Sequence, residues 1–305
     1  MGFSMLFSLA FQLALPPQGS IEKLIASGKY REALTLLSTM PADARSHLLA
    51  SKAYDGLNDP ARAVQEAEAA LALDPRQETA HLQLGQIFLG HNTPQAALEV
   101  FSEALTLLPD SLLLRLGKGL ALKDLARYDE AETELRVCLG RKPDFPLAFD
   151  TLATVYLHAK RFEDLQRVSG EYRARYPNDY RGSYFAAAAL DGLLQPKPIE
   201  PLLAESIRLN PTFAAAHALL GKVKLQSGDA AAAIPELEQA MRLRPDYAPA
   251  ALHLAQAYQK AGRDADAARA FERLRDLKEK ERMPKPALRY HRGSPSANPR
   301  DTIPP

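Results

Sequence analysis

Tryptophan does not occur in this 305-residue chain, and cysteine occurs once, at Cys138. A lone cysteine excludes an intramolecular disulfide framework and any cysteine-rich zinc or iron–sulfur site. A surplus of charge is missing too, since 38 Lys and Arg face 37 Asp and Glu for a net charge of +1. That balance argues against a dedicated nucleic-acid binder and against an acidic solvating chain. The sequence holds no alternating apolar run of strand type, no phosphate-binding glycine-rich loop, no His-Glu-x-x-His and no Gly-x-Ser-x-Gly. The apolar run from Phe3 to Leu15 is too short to span a bilayer. With 46% hydrophobic residues the chain can still bury a core, and its length suits two domains or one extended array.

What the chain does hold is a period. Pro75, Pro109, Pro143, Pro177, Pro211 and Pro245 follow one another at intervals of 34 residues, with Pro41 one step upstream. A fixed period of this length is the mark of a helical repeat. Small residues keep the same register at Ser51, Gly85, Gly119, Ala153, Ala187, Gly221 and Ala255. Small residues let two helices approach closely, and larger ones beside them, such as Phe88, Phe101 and Leu135, fill the remaining space. Within one unit Ala97, Leu98, Phe101, Ala104, Leu105 and Leu108 form one face of a helix, and Glu99, Ser102, Glu103 and Thr106 the other. Each unit therefore reads as two helices. The turn between them falls at Asn58, Asn92, Gly228 and Gly262, which tolerate a left-handed C-cap, and at the less favourable Ala126, Lys160 and Leu194. The proline ends the unit by pushing its preceding residue out of helical geometry.

At these positions the chain resembles the tetratricopeptide-repeat (TPR) family, most closely in His81-Leu82-Gln83-Leu84-Gly85 with Phe88, Ala97, Phe101, Ala104 and Pro109. The resemblance implies an all-α, right-handed superhelical solenoid of about eight helix-turn-helix units, at residues 20–43, 44–77, 78–111, 112–145, 146–179, 180–213, 214–247 and 248–281. It implies one array over 20–281, and not two domains. Departures are visible: the family's aromatic near the start of the first helix is replaced by His47, His81, Arg115, Ser183, His217 and Ala251, with only Phe149 retained. The first unit is shortened by about one turn between Gly28 and Pro41. In the sixth, Gln195-Pro196-Lys197-Pro198 delays the second helix to near Pro198, and Pro235 should bend the second helix of the seventh.

The two ends differ from the array. Residues 1–19 carry the apolar run, whose length suits the core of a secretory signal and would send the chain to the periplasm or outside the cell. Against that, no Lys or Arg precedes Lys23 and no Ala-x-Ala site is present. A helix docked on the first repeat of a cytoplasmic protein, or a wrongly assigned start, are the alternatives. Residues 282–305 are rich in proline and basic residues and read as a disordered tail.

Catalytic and metal-binding arrangements do not emerge. His47, His81 and His217 occupy equivalent sites, but neighbouring repeats stand roughly 8–10 Å apart, too far for two imidazoles to share an ion, and packed histidines are the expectation. Asp150 and His158 lie on one helix separated by about 12 Å of rise. Cys138 falls in an inward, small column and reads as a buried thiol. The repeats leave no room for a catalytic domain, so no enzyme activity and no cofactor are expected.

What remains is the groove. In the family this chain resembles, first helices line a concave face, which carries over to Leu82, Gln86, Leu89, Leu113, Leu116, Leu120, Asp150, Leu157, Tyr184 and Lys222 as partner-binding residues. Leu48, Leu82 and Leu116 stand where the family's carboxylate clamp needs Lys, so that clamp is absent, as is an asparagine ladder. The central leucines would take an amphipathic helix or a peptide with Leu-type anchors, with Asp150, Arg181, Asp191 and Lys222 giving specificity. Alternatively, part of this stripe packs between first helices. On the groove reading, Leu116→Glu abolishes capture without unfolding the array. The expected function is a non-enzymatic scaffold for a protein or peptide partner; the alternatives are a self-associating homo-oligomer, or an adaptor that meets anionic partners through the basic tail.

Overall fold

The computed structural model describes residues 18–195, 199–282 and 288. Among the described residues there are sixteen α-helices and no strand. They follow as hairpins: α1 (Gln18–Ala26) with α2 (Tyr30–Leu37), α3 (Ala44–Gly56) with α4 (Pro60–Leu73), α5 (Glu78–Gly90) with α6 (Pro94–Leu107), and α7 (Leu112–Asp124) with α8 (Tyr128–Arg141). The remaining hairpins are α9 (Pro146–His158) with α10 (Phe162–Arg175), α11 (Tyr180–Gly192) with α12 (Glu200–Leu209), α13 (Ala214–Gln226) with α14 (Ala230–Leu243), and α15 (Ala248–Lys260) with α16 (Asp264–Arg282). Their contacts gather into two compact units, one running up to Gly117 and the other beginning at Lys118, where the sequence reads as a single array.

The hairpin turns obey one rule. Positive φ occurs at Gly28, at Asn58 and then every 34 residues at Asn92, Ala126, Lys160, Leu194, Gly228 and Gly262. In each turn the chain leaves the first helix through a left-handed residue, as the expected C-caps require. Three of the second helices that follow carry further start signals: Asp59 and Asp229 accept hydrogen bonds from the Arg62 and Ala232 N–H groups, and Pro60 and Pro94 stand in the first turn. A second helix stops where proline follows. The residue before that proline has φ between −126° at Tyr176 and −144° at Asn210, an extended geometry imposed by the pyrrolidine ring.

The small column is the contact line of the hairpins. Ser51, Gly85, Gly119, Ala153, Ala187, Gly221 and Ala255 are all buried. In the first unit the Phe101 ring of α6 lies against Gly85 of α5 and Gly117 of α7, where any added side-chain carbon would overlap it. In the second unit Leu237 of α14 fills the same role against Gly221 of α13. Ser51 lies in the column as a polar member, and its Oγ donates to the Ala63 carbonyl at 2.7 Å.

The first and sixth units are irregular where the sequence places the irregularity. α2 has 8 residues against 14 in α4. α12 begins at Glu200, two residues after Pro198, and Pro196–Pro198 lie outside the described residues. α14 continues through Pro235 to Leu243. The apolar run of Phe3 to Leu15 and nearly all of the C-terminal tail also lie outside the described residues.

The left-handed turns generate a stability prediction. A left-handed residue with a side chain costs roughly 1–2 kcal/mol, part of which glycine returns through its greater freedom in the unfolded chain. Ala126→Gly and Lys160→Gly are each expected to stabilise by about 1 kcal/mol in chemical denaturation, and Gly262→Ala to destabilise by a similar amount. Unchanged midpoints in all three would contradict the turn geometry.

Candidate interaction surface

A first helix spends part of its circumference on its own second helix, part on the second helix of the preceding repeat, and the remainder on neighbouring first helices and solvent. In the first unit Gln86 of α5 is exposed, Leu82 and Leu89 are half-buried, and Leu113 at the start of α7 is 44% exposed. Leu116 is not on the surface: it is only 7% exposed. The equivalent Leu48 shows why, since it packs with Ala70 of α4 and Ala80 of α5, between successive repeats. Leu116→Glu would therefore bury a carboxylate and disturb packing, and it does not report on a groove. In the second unit Leu120, Asp150, Leu157, Tyr184 and Lys222 are half-buried, and Leu147 at the start of α9 is 49% exposed.

Tyr184 serves packing. Its ring meets Phe213 edge-on at 5.0 Å and Phe185 at 5.5 Å, and burial, reinforced by Tyr247 and Asp191, pushes its hydroxyl pKa up.

The charged residues expected to face a partner are engaged with one another. Lys222 Nζ of α13 donates to Asp191 Oδ2 of α11 at 2.6 Å, a pairing that spans 31 residues. Arg181 of α11 stands 3.6 Å from Asp150 Oδ2 of α9 at the same offset. An offset of one repeat less about one turn brings first-helix side chains of successive repeats together. Arg181 has a stronger partner in Asp179, which it contacts at 2.6 Å and which also accepts from the Tyr172 hydroxyl at 2.6 Å and the Arg181 backbone N–H at 3.0 Å. Burial works against ionised Asp179, but these bonds together hold its pKa below the ordinary value. Asp150 is held above it, chiefly by burial, which the more distant Arg181 does not overcome.

Lys222 also borders a concavity of about 390 Å³ between α13 and α15, together with Leu225, Gln226, His253, Gln256, Gln259 and Lys260. Of these seven, Lys222 is the one named among the expected partner-binding residues. His253 follows Lys222 by the same 31-residue offset, a signal present in the sequence. Burial pushes its pKa down, and Lys222 adds to that effect against the Gln256 hydrogen bond.

The three equivalent histidines are buried structural groups. His81 Nε2 donates to the Pro75 carbonyl at 2.9 Å, and His217 Nε2 to that of Pro211 at 3.1 Å, so each ties the inter-repeat turn. His47 Nδ1 lies 2.6 Å from Glu66, and His217 Nδ1 lies 2.8 Å from Glu236. Val100 stands at the corresponding place for His81, whose Nδ1 has no hydrogen-bond partner. Cys138 is buried in α8. Among the described residues no group of three or more His, Cys, Asp or Glu is placed to hold a metal ion, and no helix is long and apolar enough to cross a membrane.

Helix hairpins recurring at 34 residues, packed through a small column, define an all-α repeat protein. Residues 48–111 and 224–283 each match a tetratricopeptide-repeat family model, so the chain carries tetratricopeptide repeats in both of these stretches. Among solved structures, a tetratricopeptide repeat protein from Parabacteroides merdae is similar with a TM-score of 0.64 and 14% identity, over 77% of this chain and 93% of that one. Yeast Tom70 is similar with a TM-score of 0.61 and 19% identity, over 85% of this chain and 55% of that one. The APC/C hetero-tetramer Cut9-Hcn1 gives a TM-score of 0.61 and 17% identity over 78% of this chain, which spans about half (48%) of that longer chain. These likenesses concern the fold. No curated protein matches the chain.

The opposed pKa shifts of Asp179 and Asp150 set a pH prediction. A lowered folded pKa gives stability that is present above the unfolded value of 3.8 and lost as pH falls through the folded one. A raised one does the reverse, so ionising Asp150 erodes stability as pH rises from 3.8 through its folded value. Asp179→Asn is expected to cost about 1–3 kcal/mol at neutral pH, with the difference from wild type closing in acid. Asp150→Asn should stay within about 0.5 kcal/mol of wild type or exceed it. Denaturant titrations at both pH values check this, and an equal loss for the two variants would contradict the assignment.

Proposed function

We propose that this chain is a non-enzymatic scaffold that binds a protein or peptide partner along the exposed faces of its first helices. The observation carrying this reading is the distribution of apolar side chains. Leu113 and Leu147 are 44% and 49% exposed at the starts of α7 and α9, and Leu82, Leu89, Leu120 and Leu157 are half-buried, while the same first helices turn Leu84, Leu114 and Leu152 fully inward. A large apolar group left partly wet on a rigid element is the kind of anchor that a partner covers. Rigidity matters as well, because a preorganised surface loses little conformational freedom on binding. Pairing of Arg181 with Asp150 and of Lys222 with Asp191 leaves those sites nearly neutral, so leucine contacts dominate affinity and the ion pairs act as spacers.

The test uses exposed leucines, since Leu116 is buried. Full-length protein and the Leu113→Glu/Leu147→Glu variant serve as paired baits, with circular dichroism confirming equal helicity. The variant is expected to lose the partner retained by wild type, with an affinity reduced at least about tenfold in a direct titration. A partner bound equally by both baits would place its site elsewhere and overturn the proposal.

A further inference from the structure

Counted from the left-handed turn residues, the repeats pack in a fixed register. The residue nine positions after one turn residue meets, in the next repeat, the residue nine positions before its own turn residue. Phe101, nine after Asn92, lies against Gly117, nine before Ala126, and is 1% exposed. Leu203, nine after Leu194, and Leu219, nine before Gly228, belong to one apolar cluster. Sizes along this seam are matched, since the ring of Phe101 needs the missing side chain of Gly117.

Phenylalanine occupies the first of these positions in one other repeat. It is Phe271 of α16, nine after Gly262; the other six repeats hold Leu, Ala or Ser. Phe271 is 39% exposed and borders an open concavity of about 430 Å³ with Leu274, Arg275 and Lys278. Glycine occupies the second position in one other repeat as well. It is Gly19 of α1, nine before Gly28, with no atom of the described residues within 4 Å of where a side-chain carbon would stand. The remaining six repeats hold Leu, Gln, Thr, Phe or His there. The chain thus carries the Phe–Gly combination twice, once joined inside the array and once divided between its first and last hairpins.

We propose that copies of this chain associate head to tail, Phe271 of one copy seating against Gly19 of the next as Phe101 seats against Gly117 within the chain. The contact is heterologous, so it continues from copy to copy and does not stop at a dimer. It uses none of the leucines assigned to partner binding, so the two proposals stand or fall separately.

Two variants of the full chain test it, Phe271→Glu and Gly19→Phe. Phe271 is already exposed and no described atom crowds Gly19, so both are expected to fold, with circular dichroism as the check and Phe271→Ala as the milder replacement. Light scattering on wild type should show a mass that rises with concentration beyond two copies. Each variant alone should associate at least about tenfold more weakly. Mixed, they should form a complex of two copies, because Phe271→Glu retains an intact Gly19 and Gly19→Phe retains an intact Phe271. A wild type that stays monomeric at every concentration, variants that associate like wild type, or a mixture that forms no complex would each overturn the proposal.

Discussion

Everything in this protein depends on how closely two helices of a hairpin can approach. That distance is set by a column of Gly, Ala and Ser at 34-residue spacing, and it works only because a left-handed residue reverses the chain at the right point. The small residue brings the backbones together, and the large residue of the second helix then fills the space between repeats, as Phe101 and Leu237 do. Stability is a sum of such local contacts. Irregularities are tolerated for the same reason. A short α2 and a delayed α12 each alter one hairpin, α14 runs through Pro235 at the ordinary length, and the period downstream stays intact.

A surface built this way is also economical in its chemistry. Both helices of a hairpin supply deeply buried side chains, Phe88 and Tyr156 from first helices and Phe101 and Leu135 from second ones, and first helices keep one flank for solvent. On that flank, ion pairs between successive repeats neutralise one another, and half-buried leucines lie beside them. Binding, on this view, is a use of the flank that packing does not consume. The buried histidines belong to packing: two hold the proline turns between repeats, and two lie against glutamates from the second helix.

The turns and the small column were legible in the sequence because each rests on one residue's own conformational preference or volume, repeated many times. Even the unfavourable left-handed sites, Ala126, Lys160 and Leu194, follow from the period alone. The candidate surface was legible only in outline. Leu113 and Leu116 are one turn apart on α7 and chemically identical, yet one is 44% exposed and the other 7%. Periodicity identifies which face a residue belongs to, but not whether the neighbouring repeat covers it. The pairing of Asp191 with Lys222 was hidden for a related reason, since the 31-residue offset combines the repeat with a turn of helix and becomes visible only once successive first helices are placed side by side. Asp179 was missed because its role combines a helix cap, an ion pair and a tyrosine hydroxyl from another helix.

The most direct test of close approach as the governing constraint is hydrogen exchange on Gly85→Leu. A leucine at that site overlaps the Phe101 ring, and overpacking of this kind costs about 1–3 kcal/mol. Amide protection should fall in α5 and α6 while α13 to α16 exchange as in wild type, because a repeat passes strain only to its neighbours. Unchanged protection in α5 and α6 would contradict close approach at the small column, and a uniform loss over all sixteen helices would contradict its local character.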